Sequence, residues 1–172
     1  MSNLAYDSDH DVQHGASRDI ADMHALRPVP RISIHAFCET DGIAVPVQRA
    51  GEDRRMAKTH LKVQMGGIPA AIELYQSTPT PNLIIVESRS EPRQLMAALG
   101  ELAEFCDPST KVVVVGHYND VALYRDLIKA GISEYVVAPV SLADIVGVIS
   151  NIFVDPDAEP IGRSVAFIGA KG

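Results

Sequence analysis

The strongly apolar stretches of this chain run into residues able to do chemistry. RISIHAF is followed by Cys38 and Glu39, NLIIV by Glu87, KVVVV by Gly116 and His117, and EYVV by Ala138 and Pro139. Carboxylates such as Glu39 and Glu87 are hard oxygen donors for Mg²⁺, and a carboxylate can also act as a nucleophile toward a phosphoryl group. Glu87 alone reads as a solvated carboxylate at a strand end, with Arg89 and Arg93 close by in sequence to pair with it. His117 reads as a loop histidine, and Cys38 and Cys106 as small packing residues rather than nucleophiles. With two cysteines in the chain, a disulfide framework is excluded, and no metal-type cysteine spacing is present. The opening residues gather Asp7, Asp9, Asp11, Asp19 and Asp22 with His10, His14 and His24. No i,i+4 ligand repeat in an apolar frame accompanies them, so a polar tail is the better reading than a metal site. At the other end, Gly169-Ala170-Lys171-Gly172 has the residue types of a phosphate-cradling loop. Taken alone, it is equally an ordinary glycine tail.

Elements of alternating type must position these residues. Arg31–Phe37, His60–Met65, Asn82–Val86, Lys111–Val115 and Glu134–Val137 read as strands, the third and fourth without alternation, as when both faces are covered. Between them lie helix patterns. Val45–Ala57 is a weak one, interrupted by Pro46 and Gly51, and Ile68–Gln76 is short. Glu91–Cys106 carries Leu95, Leu99, Leu102 and Cys106 on one face, with Ser90 as its expected N-cap and Pro92 in its first turn. Val121–Lys129 is expected to turn Val121, Tyr124, Leu127 and Ile128 inward and to close on Gly131. Ser141–Phe153 has Ser141 as cap with Asp144 three residues on, and an apolar stripe of Leu142, Ile145, Val146, Ile149 and Phe153.

Five βα units in succession predict an α/β, flavodoxin-like three-layer sandwich with a parallel sheet in the order 2-1-3-4-5. Functional groups in such a sheet gather at the C-terminal ends of strands 1, 3 and 4, where Cys38, Glu39, Glu87 and Gly116 stand. The expected organisation is a polar tail over 1–30, this domain over 31–153, a Pro- and acid-rich linker over 154–162, and a sixth strand running into a glycine turn over 163–172.

Length and composition agree. The chain has 172 residues, 47% of them hydrophobic and 22% charged, with a net charge of −7. That suits one α/β domain with a tail rather than two full domains. The acidic balance argues against nucleic acid and anionic membranes as partners. No stretch has the length of a membrane span or the apolar core of a leader peptide, so a cytoplasmic setting is expected.

The five βα units and the strand-end residues resemble the response-regulator receiver domain. In that family an acidic pair after strand 1 binds Mg²⁺, an Asp ending strand 3 accepts the phosphoryl group, and a Ser or Thr after strand 4 and a Lys-Pro after strand 5 hold its oxygens. Here Cys38 and Glu39 stand at the metal positions, Glu87 at the phosphoacceptor, Gly116 at the hydroxyl and Ala138 at the lysine. At most one acid of the pair survives, with Phe37 and Cys38 at or beside the metal positions, while Pro139 keeps the family's residue and is a candidate for a cis peptide bond. A Glu in place of Asp shifts its carboxylate by more than about 1 Å, enough to spoil in-line geometry. The resemblance therefore implies a pseudo-receiver with no catalytic residue and no metal site.

A degenerate receiver followed by a linker and by SVAFIGAKG is similar to the CpaE/TadZ family of pilus assembly proteins. HLKVQMGG, NLIIVES and GISEYVVAPVS are further phrases of that kind. In the family an atypical receiver precedes a ParA/MinD-like ATPase domain with a deviant Walker A loop. Lys171 would be that loop's signature lysine, with Gly172 after it. ATP and Mg²⁺ would belong to the ATPase domain, and no cofactor is expected for the residues present here. The resemblance implies a non-enzymatic module that contacts the pilus assembly machinery, helps position a Flp/Tad-type secretion apparatus at the cell pole or inner membrane face, and can form a homodimer. Receivers often pair through helix 4, strand 5 and helix 5, so Tyr124, Arg125 and Tyr135 are the candidate surface. Both tyrosines are equally readable as core-edge aromatics. A phosphorylatable receiver in a phosphorelay is the alternative.

Overall fold

The computed structural model describes residues 27–154. Within them run β1 (Ser33–Cys38), α1 (Asp41–Glu52), β2 (His60–Met65), α2 (Gly67–Tyr75), β3 (Leu83–Ser88), α3 (Pro92–Ala103), β4 (Lys111–Gly116), α4 (Val121–Lys129), β5 (Glu134–Val137) and α5 (Leu142–Phe153). A single 3-10 turn at Arg54–Met56 links α1 to β2. Every strand pairing is parallel and the order is β2-β1-β3-β4-β5, the arrangement that the βα alternation predicts.

Strand residues alternate between two cores. Ile34, Ala36 and Cys38 of β1, Leu83 and Ile85 of β3, and Val113 and Val115 of β4 face α1 and α5. Phe37, Ile84, Val86, Val114 and Tyr135 face α2, α3 and α4. All six residues of β3 are buried, because it is the central strand with helices on both sides. This alternation sends the last odd-numbered residue of β3, Glu87, toward the α1 face at the C-terminal edge of the sheet.

Three local expectations change. Helix α1 begins at Asp41 and contains Pro46. The hydrogen bond lost to the proline belongs to its first turns, and burial of Ile43, Ala44, Val47 and Ala50 holds the helix regardless. Gly51 ends no helix: a Cβ there would lie 2.7 Å from Leu61, so the glycine lets α1 approach β2. The cap of α3 is Glu91 rather than Ser90, with no side-chain bond. Ser90 instead donates its N–H to the Ser88 hydroxyl.

The third change concerns α4. Its buried residues are Leu123 and Leu127, while Val121 is 65% exposed, Tyr124 40% and Ile128 39%. Asp120 caps this helix by accepting from the N–H groups of Ala122 and Leu123. The predicted capping box at Ser141 and Asp144 is present, and Gly131 takes φ +97°. At the front, Val29 is fully buried and donates its N–H to the Arg55 carbonyl, so the domain takes in a residue assigned to the tail. Of the expected tail, linker and sixth strand, residues 1–26 and 155–172 lie outside the described residues, Lys171 and Gly172 among them.

Candidate functional site at the C-terminal edge of the sheet

Glu87 is completely buried, a correction to its reading as a solvated carboxylate. A buried charge needs partners, and it has them on both oxygens. Oε2 accepts from the backbone N–H groups of Glu39 at 2.7 Å and Thr40 at 2.8 Å. Oε1 accepts from the Thr40 hydroxyl at 2.7 Å and from His117 Nε2 at 3.0 Å. An ionised carboxylate only accepts, so His117 presents Nε2–H to it. Burial alone pushes the Glu87 pKa up, but the bonds from Thr40, Glu39 and His117 outweigh it and hold the group below the ordinary carboxylate value.

These partners come from two loops. Glu39 and Thr40 lie between β1 and α1, and His117 follows β4. Since β3 sits between β1 and β4, the carboxylate bridges the two loops flanking it. Thr40 is the N-cap residue of α1 but makes no side-chain cap bond. Its hydroxyl goes to Glu87 instead. Sequence reading did not join Thr40 to Glu87, and the overlooked signal was an acid closing an all-apolar strand, which has to find donors inside the fold.

Glu39 is turned away from Glu87. Its Oε2 accepts from the N–H and Nε of Arg89 at 3.1 and 3.2 Å, so the arginine expected to serve Glu87 serves Glu39. Gly67, at φ +58°, lets α2 start against this side chain, since a Cβ there would lie 2.9 Å from Glu39 Cγ. Cys38 is fully buried. Burial, with the Glu87 charge nearby, pushes its thiol up to about 12, which leaves it protonated and a poor metal ligand or nucleophile.

The remaining positions offer no phosphoryl-binding groups. Gly116 has no hydroxyl, and the Tyr135 ring fills the space where a side chain would be: a Cβ on Gly116 would overlap the Tyr135 ring and hydroxyl. Tyr135 is buried, 6% exposed, and donates its hydroxyl to the Tyr118 carbonyl at 2.8 Å. It therefore does not form part of an exposed surface with Tyr124 and Arg125. Ala138 packs against the α1 and α5 core and presents only a methyl group. The Ala138–Pro139 bond is cis.

The residues at this edge do not fit the Mg²⁺ that a receiver would hold there. Where the cation would sit, backbone N–H groups, a hydroxyl and an imidazole N–H converge on the Glu87 carboxylate. Glu39 is committed to Arg89 and Cys38 is a protonated thiol. Among the described residues no three His, Cys, Asp or Glu side chains come together as a metal site.

The sheet order and the βα succession give the chain the fold of the response-regulator receiver domain. The chain matches no family profile and no curated relative. Among solved structures, a response regulator from Thermotoga maritima shares the fold, with 20% identity over 76% of this chain and a TM-score of 0.55. Pilus assembly protein CpaE from Caulobacter crescentus CB15 has 42% identity over 75% of this chain and 98% of its own, with a TM-score of 0.73. A putative CpaE2 pilus assembly protein from Sinorhizobium meliloti 1021 has 40% identity over 70% and 99%, with a TM-score of 0.69. The chain belongs to the CpaE family of pilus assembly proteins.

Proposed function

We propose that this receiver-type domain is a non-catalytic interaction module, which takes part in pilus assembly by contacting other proteins and positioning the secretion apparatus. One observation carries the reading: both oxygens of Glu87, the residue at the phosphoacceptor position, are occupied by donors from the same chain. A carboxylate so engaged has no lone pair directed at an incoming phosphorus atom. Nor does the site offer a cation to balance the added charge. Magnesium with acetyl phosphate or beryllofluoride, followed by intact mass and amide chemical shifts, tests this. No adduct and no Mg²⁺-dependent shift at Glu39 or Glu87 is expected. Stoichiometric acyl phosphate would establish the phosphorelay reading in its place.

The surface that suits such a role is the outer stripe of α4. Val121, Tyr124 and Ile128 recur at three- and four-residue steps on the solvent side, with Tyr118 just before them and Arg125 between. Partners in the pilus machinery, a polar location at the inner membrane face and self-pairing through this helix all belong to the proposal. Among the described residues no helix is long and apolar enough to cross a membrane. A fluorescently tagged full-length protein should form polar foci, and Val121→Asp should disperse them. A wild-type protein that stayed diffuse and whose loss left pili intact would count against the positioning role.

A further inference from the structure

The four donors around the Glu87 carboxylate belong to the two loops on either side of β3. Two are backbone N–H groups of the β1–α1 loop, one is the Thr40 hydroxyl, and one is His117 Nε2–H from the β4–α4 loop. They approach both oxygens at 2.7 to 3.0 Å, the spacing of donors around a bound anion. No arginine or lysine is among them. The charge is held by dipoles and hydrogen bonds on a buried side chain, where such bonds are strong. The loop on the far side is tied to β5, where the Tyr135 hydroxyl donates to the Tyr118 carbonyl, and it runs directly into α4, which Asp120 caps.

We propose that this edge of the domain is an anion-binding site whose resident ligand is the protein's own carboxylate, with Glu87 tying the β1–α1 loop to the β4–α4 loop and thereby holding α4 in one arrangement without any modification. The receiver site is on this account filled from within rather than merely stripped of its chemistry. The chemical class that fits is a planar or compact monoanion of carboxylate size, such as formate. A dianion or a divalent cation does not fit, since there is no side-chain cation for the one and no free oxygen for the other. The inference takes its functional meaning from the proposed non-catalytic role, but the geometry stands apart from it.

Chemical rescue tests the site. Glu87→Ala removes the ligand and keeps the donors. Its unfolding temperature should fall by more than about 5 °C, and sodium formate should restore at least half of that loss saturably, relative to sodium chloride at equal ionic strength. The unaltered protein should respond alike to the two salts. No loss on substitution, or a loss that formate leaves untouched, would overturn the proposal. Should Glu87→Ala not fold even with formate, Thr40→Val decides the matter, because it deletes one donor and leaves the carboxylate in place. It should shift the amide resonances of residues 117–121 across β3 as well as those of its own loop. Changes confined to 38–42 would mean that Glu87 does not couple the loops. Acyl phosphate formation in the unaltered chain would remove the proposed function while leaving the rescue result standing, so the two can fail separately.

Discussion

The C-terminal edge of the sheet and the outer face of α4 lie one short loop apart and follow opposite rules. At the edge, a charge is buried and every oxygen of it has a partner within the chain. On α4, apolar side chains stand in water with Val121 the most exposed of them. An ion site that is satisfied from within has nothing left to recruit, whereas an apolar stripe left outside gains by being covered. On the proposed reading, recognition in this domain belongs to that surface and not to the edge of the sheet.

The contrast can be broken most severely at Gly116. Gly116→Val places a side chain where the Tyr135 ring lies, and it should destabilise the domain by about 3 kcal/mol, the upper end of overpacking costs. Urea unfolding with and without Tyr135→Ala checks this: the double variant should lose less than the sum of the two. A harmless Gly116→Val would mean the ring is easily displaced and the edge is not filled.

Next comes Glu87→Gln, which keeps the shape and removes the charge. It should cost about 2 kcal/mol near neutral pH, as expected for a charge-assisted bond set made neutral. Because the folded pKa of Glu87 lies below its ordinary value of 4.5, its contribution is complete above that pH and is lost as pH falls through the folded value. The gap between the two proteins in urea midpoint should therefore narrow on acidification below about pH 4.5, and a gap that widened would refute the assignment. Cys38 and His117, which also face this carboxylate, are present in both proteins.

Thiol chemistry separates inside from outside more gently. Cys106 is half-buried, and Cys38 is fully buried with its thiol pushed up to about 12. Iodoacetamide should label Cys106 first and reach Cys38 only on unfolding, read by peptide mass. The smallest effect on stability is expected on α4. Val121→Ser and Tyr124→Ser should each change unfolding free energy by less than about 0.5 kcal/mol, while weakening any partner contact made there. A large loss of stability would show that this stripe already packs within the fold.

Much of this was legible in the sequence because it depends on neighbours. The βα succession, the sheet order and the capping box at Ser141 all follow from local pattern. What stayed hidden depends on distance along the chain. Glu87 meets Glu39 across 48 residues and His117 across 30, and no spacing rule links such positions. The inward stripe of α4 was misassigned for a different reason. Val121, Tyr124, Leu127 and Ile128 form as good a periodic set as Leu123 and Leu127, and a helix apolar on two sides cannot say from its own sequence which side is buried.

The Tyr135 ring over Gly116 has an evolutionary consequence. A step back toward phosphoryl transfer would begin by restoring a hydroxyl at position 116, but that side chain collides with the ring before it can serve any chemistry. Restoring a lysine at Ala138 or an aspartate at Glu87 gains nothing while the other changes are missing, and the shorter acid lets go of the loop that Glu87 now holds. A side chain at position 116 is therefore a loss on its own, whatever stands at positions 87 and 138.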